Sequence, residues 1–148
     1  LAYLWGWSDF MGWSLEQTEQ GIGYLDTDII AVCASEYGLP LKKGGVESQV
    51  IDYSISNPGP SPLTAFSFEK AQARGMRACA KIQANNSWEC SATPYLPTFE
   101  LVLEHLKNLN AIGVRDYMLT WTLGGYPSPM LGMVSSYSED PEAFELNE

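Results

Sequence analysis

Histidine is almost missing from this chain: His105 is the only one. That excludes a His-rich metal centre. The three cysteines, Cys33, Cys79 and Cys90, show no CxxC spacing, which removes a Cys-based zinc site as well. Their odd number argues against a disulfide scaffold. Cys33 and Cys79 lie inside apolar runs, where a free cysteine behaves as a small hydrophobe. Long apolar runs are absent too. The longest aliphatic or small run, Ile29-Ile30-Ala31-Val32-Cys33-Ala34, falls far short of the about 20 residues of a membrane helix. Positive charge is scarce. Eight Lys and Arg against eighteen Asp and Glu leave a formal charge of −10, which disfavours polyanionic partners. Neither a nucleic acid nor a membrane is therefore expected as a partner. There is no Walker motif, no GxGxxG and no GxSxG elbow, and His105 falls on the flank of a helix, against a Ser-His-Asp hydrolase. No basic segment precedes an apolar stretch at the start, so no signal peptide is visible. No redox cofactor and no metal are expected.

What is present is a core and a wealth of aromatic rings. The chain of 148 residues is 45% apolar, enough for one globular domain that buries about two-thirds of its unfolded surface. Five Trp and eight Tyr in an acidic chain suit a neutral polar ligand such as a sugar. Phe99, Val102, Leu103, Leu106 and Leu109 predict a helix from Phe99 to Ile112, with Thr98 as cap and Gly113 as terminator. A second helix begins at Ser61-Pro62 and stops at Gly75. A third starts at Ser14 and runs to about Gln20, its end left open by Gly21 and Gly23. Between them, Ala2 to Trp7, Asp28 to Ser35, Arg77 to Gln83 and Asp116 to Thr122 read as strands. They are apolar almost throughout, the pattern of strands covered on both faces in a parallel sheet. Repeated βα units predict an α/β fold. The segment from Tyr37 to Pro60 is too long for an ordinary connection. It reads as an elaborated loop after the second strand, with a small hairpin, turn signals at Lys43-Gly44-Gly45 and Asn57-Pro58-Gly59-Pro60, and a strand-like stretch from Gln49 to Ile55.

Polar and aromatic residues gather just after the strands, the edge that carries the site in parallel α/β folds. Glu36 follows an apolar strand, at the rim of a core, where partial desolvation suits a carboxyl to proton transfer. Glu89 stands beside Trp88. Two carboxylates across one pocket are the equipment of glycoside hydrolysis, one protonating the leaving oxygen and the other attacking or activating water. The plainer reading has each cap a helix or pair with Lys42, Lys43 or Lys81. Asn85 and Asn86 offer amides to sugar hydroxyls, and Asn85-Asn86-Ser87 is also a glycosylation sequon. Lys81 is a charge inside an apolar strand: it either points inward towards a carboxylate or substrate oxygen, or reaches water from the edge of the helix layer. Among the aromatics, Trp5 reads as core, whereas Trp88, Trp121 and Tyr126 suit stacking on a sugar ring. Gly124-Gly125 reads as a tight turn or a close approach to a ligand.

These strand-end motifs resemble a known group. Ser35-Glu36-Tyr37-Gly38, Asp52-Tyr53-Ser54-Ile55-Ser56, Asn85-Asn86-Ser87-Trp88-Glu89, Pro94-Tyr95-Leu96-Pro97 and Trp121-Thr122-Leu123-Gly124-Gly125-Tyr126-Pro127 look like segments of large bacterial carbohydrate-active proteins with a glycoside-hydrolase TIM barrel. The likeness runs from about Tyr3 to Asp140 and falls on the C-terminal half of that barrel. It implies a partial (β/α)8 barrel of about four βα units, and a retaining or inverting glycosidase near the β-hexosaminidase-like barrels. The Asp-Glu dipeptide typical of hexosaminidases does not occur here. On this reading Glu36 and Glu89 are the catalytic or orienting acids, and Asn85, Asn86, Lys81, Trp88, Trp121 and Tyr126 bind a carbohydrate. A non-catalytic carbohydrate-binding module and a small α/β domain unrelated to sugars are the competing expectations.

Overall fold

The computed structural model describes residues 2–5, 12–85, 96–120 and 128–146, with residues 2–5 and 120 given by backbone alone. In chain order the elements are β1 (Ala2–Trp5), α1 (Leu15–Gly23), β2 (Ile29–Ala34), β3 (Pro40–Lys43), β4 (Val46–Gln49), α2 (Pro62–Ala73), β5 (Ala78–Gln83), α3 (Phe99–Ala111), β6 (Asp116–Thr120) and α4 (Pro129–Glu139). The apolar runs form a four-stranded sheet in the order β1-β2-β5-β6, parallel throughout. Val32 lies opposite both Trp5 and Cys79, and Lys81 opposite Ala34 and Met118. The parallel strands thus stand side by side in their order along the chain, with no reversal. The sheet is open among the described residues, and no closed barrel is formed by them.

Alternation along β2 and β5 divides the core in two. Cys33, Ala78, Ala80, Ile82 and Ala84 pack with Phe68 of α2, with Val102, Leu106 and Leu109 of α3 and with Met130, Val134 and Tyr137 of α4. Ala31, on the same face, meets Ala71 and Met76, with Ile22 of α1 packed against them. All four described helices therefore serve one face. The opposite face carries a separate small cluster of Ile30, Val32, Cys79 and Met118.

Local chemistry fixes the helix ends. Ser14 and Gln17 close a reciprocal capping box on α1, the Ser14 side chain accepting from the Gln17 amide at 3.2 Å and the Gln17 side chain accepting from the Ser14 amide at 2.9 Å. The helix then runs through Gly21 to Gly23, which settles the end that the two glycines left open. Ser61 caps α2, and its oxygen accepts the Thr64 amide at 3.1 Å. The Thr98 side chain, expected to cap α3, makes no capping hydrogen bond. Helix α4 was not anticipated, although Ser128-Pro129 followed by Met130, Met133, Val134 and Tyr137 repeats the signal that marked α2.

The long loop contains the expected hairpin. Strands β3 and β4 pair antiparallel, and Gly44 and Gly45 turn at φ 59° and 80°, a double positive-φ turn that glycine makes readily. The strand-like stretch from Gln49 to Ile55 is different: only Gln49 lies in a strand. The rest crosses the C-terminal end of the sheet irregularly, held by buried side chains rather than by a ladder. Ile55 packs with the helix-side core, whereas Tyr53 lies against Lys81 on the other face. No helix among the described residues is long and apolar enough to cross a membrane.

Candidate functional site

The C-terminal ends of β2 and β5 bring several polar side chains under the strap that follows the hairpin. Lys81 sits on the same face of β5 as Cys79, away from the helices, and is only 4% exposed. This selects the inward of its two expected orientations. Its ammonium donates to the Tyr53 hydroxyl and lies 4.4 Å from the centroid of that ring. Burial pushes the amine down to about 8 from 10.5, while the nearby Asp52 and Glu36 carboxylates act in the opposite direction. The Asp52 carboxyl is raised by its own burial, with Lys81 partly offsetting the rise.

Glu36 departs from its expected place at a partly solvated rim. It is completely buried, and its Oε1 accepts the Gln83 amide N–H at 3.2 Å. The turn after β2 folds the side chain back over the end of β5, which removes it from solvent. Gln83, the last residue of β5, lies two positions beyond Lys81 and so projects to the same side. It is 1% exposed, and neither its Oε1 nor its Nε2 finds a hydrogen-bond partner among the described residues.

Glu36 also borders a second polar group on the helix side. Its Oε1 lies 3.7 Å from His105 Nδ1, and His105 Nε2 is 2.7 Å from Ser35 Oγ. The nearby carboxylate favours the tautomer with the proton on Nδ1, leaving Nε2 to accept the Ser35 hydroxyl. Burial drives the imidazole down to about 3, so it is neutral at pH 7. The order Glu36–His105–Ser35 imitates a nucleophile triad, but Ser35 is fully buried and roofed by Gly59. A Cβ on Gly59 would come within 2.6 Å of His105 Nε2 and 2.9 Å of Ser35 Oγ, leaving no room for an acyl group. Asn108 Nδ2 completes the junction by donating to the Gly59 carbonyl at 2.9 Å. This group is a structural tie between β2, the loop and α3.

No family model, curated protein or solved structure matches the chain.

The remaining expected site residues divide. Asn85 is wholly buried and accepts a hydrogen bond from the Ser128 hydroxyl at the start of α4, while its main-chain carbonyl accepts the Leu96 amide at 3.0 Å. It therefore ties the two ends of structure around it instead of projecting from a rim. Asn86, Trp88, Glu89, Trp121 and Tyr126 lie outside the described residues, as do Trp7, Gly124-Gly125 and the side chain of Trp5. Sequence reasoning named Asp52 and Tyr53 only within a motif and gave no individual site role to them, to Gln83 or to His105. Of these, Gln83 had a usable signal in its i, i+2 relation to Lys81. Among the described residues no group of three or more His, Cys, Asp or Glu side chains is placed to hold a metal ion.

Proposed function

We propose that this chain contributes to a carbohydrate-processing site of the glycoside-hydrolase type, borne on four consecutive βα units of a (β/α)8 barrel. Two features of the fold support this reading. The parallel strands follow in chain order with every described helix on one face, as in a singly wound barrel. A doubly wound sheet would reverse its strand order and carry helices on both faces. The observation that carries the functional part is the buried Lys81–Tyr53 contact at the C-terminal end of β5, beside a Glu36 carboxylate held by the Gln83 amide, at the end that forms the mouth of such a barrel.

In this mechanism the Asp52 carboxyl, kept protonated to higher pH by burial, hands a proton to the departing glycosidic oxygen. Glu36, buried and anchored by the Gln83 amide, acts through its charge, balancing the positive charge that develops at the anomeric carbon. Glu89 is the further carboxylate of the proposal, with Asn86, Trp88, Trp121 and Tyr126 holding the carbohydrate. Glu36→Gln, Asp52→Asn and Glu89→Gln in the intact protein, assayed on a panel of aryl glycosides, test it. Loss of turnover with retained sugar binding supports hydrolysis. Unchanged turnover in all three variants removes these carboxylates from the mechanism.

The complete burial of Glu36 favours a second reading, a carbohydrate-binding module in which Glu36 only orients its neighbours. That reading predicts glycan retention by the intact protein without hydrolysis of any glycoside in the panel.

A further inference from the structure

We infer that Lys81 is an amine nucleophile that captures an aldehyde or ketone as an imine, with polyhydroxylated carbonyl compounds such as open-chain aldoses as the class its surroundings suit. This activity goes beyond glycoside hydrolysis and does not rest on that reading. It stands first on the placement of Lys81, buried at the C-terminal half of β5 on the face away from the helices. The other lysines are differently placed. Lys42 and Lys70 pair with Glu47 and Glu19, each at 3.0 Å, and Lys43 and Lys107 are exposed. Desolvation brings the Lys81 amine to about 8, so a larger share of it is uncharged near neutrality than for a lysine in water.

The groups around it supply the proton transfers. The Tyr53 hydroxyl touches Nζ from the strap, Asp52 adjoins Tyr53 in sequence, and Glu36 is held on the Gln83 amide, two residues along β5 from Lys81. The ammonium first gives a proton, relayed by water, to the Asp52 carboxylate. The amine lone pair then attacks the carbonyl carbon, the C–N bond forms, and the π pair moves to oxygen, which takes the Tyr53 proton. The new ammonium centre returns a proton to Tyr53. Asp52 next returns that proton by the same relay to the carbinolamine hydroxyl, the C–O bond breaks with release of water, and the nitrogen lone pair closes the C=N bond. One ammonium and one carbonyl become one iminium and one water, and Asp52 and Glu36 neutralise the iminium charge. A second, independent observation points to a ligand at this place. Gln83 presents both ends of a buried amide, without partners among the described residues, on the same side of the strand. A donor and an acceptor side by side match the hydroxyls of a polyol.

The full chain is incubated with glyceraldehyde and sodium cyanoborohydride at pH 8, which reduces any imine to a stable amine, and each lysine is quantified by peptide mass mapping. Lys81 is expected to be labelled at least about tenfold more than any other lysine, from its larger uncharged fraction, and the preference is expected to vanish in urea. Tyr53→Phe should slow labelling of Lys81 severalfold and leave the other lysines unchanged. Labelling of Lys81 no greater than that of Lys42, Lys43, Lys70 and Lys107 in the folded wild-type chain overturns the inference, as does a preference that survives in urea. The wild-type comparison decides even if Tyr53→Phe does not fold. None of these readouts involves glycoside hydrolysis, so either idea can fail without the other.

Discussion

Two polar networks meet at Glu36, one on each face of the sheet, and they are built on different principles. On the helix side, Ser35, His105, Gly59 and Asn108 lock together β2, the loop and α3 through matched hydrogen bonds, with Ser61 and Thr64 tying in α2. Main chain joins in: the Ser61 amide donates to the Ser35 carbonyl at 2.8 Å. On the opposite face, Lys81, Tyr53, Asp52 and Gln83 hold a charged amine and an amide whose two ends have no partner among the described residues. A closed network rigidifies and specifies a fold. An incompletely matched one costs stability and is kept where something else completes it.

The largest test of this contrast is Gly59→Ala. Its Cβ would sit 2.9 Å from the Ser35 carbonyl oxygen, a backbone atom that cannot swing aside, and the expected loss is about 3 kcal/mol in urea unfolding. A loss below about 0.5 kcal/mol would show that the helix-side junction yields and is not the rigid member of the pair.

Acid probes the same junction more gently. The folded imidazole of His105 takes a proton only near pH 3, whereas the ordinary value is 6.5. Between these limits the unfolded chain binds the extra proton, so the contribution is fully present above pH 6.5 and is lost as pH falls towards 3. At pH 5 the loss is about 2 kcal/mol. Comparing the pH dependence of unfolding in wild type and His105→Gln isolates it, because the amide does not titrate. Parallel curves would mean that His105 takes up its proton as readily in the fold as in the unfolded chain.

The smallest effect is expected on the other face and with the opposite sign. Gln83→Met replaces an unmatched buried amide with an apolar side chain of similar length, and should stabilise the chain by about 1 kcal/mol. The same change should weaken capture of glyceraldehyde at Lys81. A destabilised variant would show that the amide is already satisfied and erase the contrast between the two networks.

Much of the scaffold was legible in the residues. The apolar run at Ile29–Ala34 announced a strand buried on both faces, because nothing in it alternates, and Ala78–Gln83 announced another in spite of Lys81 and Gln83. The glycine pair at Gly44-Gly45 announced the hairpin, since two successive positive φ angles suit few other residues. The stretch from Gln49 to Ile55 misled because its apolar residues anchor it to two different surfaces, and spacing alone cannot distinguish anchors from a strand face. The site was half legible. Glu36 and Lys81 stood out as charges, one just past an apolar strand and one inside another, but what each faced depended on a turn and a strap whose path no local pattern encodes. His105 looked like a helix-flank residue and proved to be the buried hub of a junction. Its partners lie about 70 residues away in the chain, Ser35 being separated from it by that number.

The sequence by itself determined the chemistry available: one histidine, few cations, an acidic and aromatic-rich composition, and strands apolar enough to be covered on both sides. These follow from composition and from short-range periodicity, which act over a few residues. Only the tertiary structure decided which polar groups share a face. It put Glu36 out of reach of solvent, turned Lys81 away from the helices and laid Tyr53 across it. That sorting follows from strand register and the crossing of the loop, which are set by long-range packing.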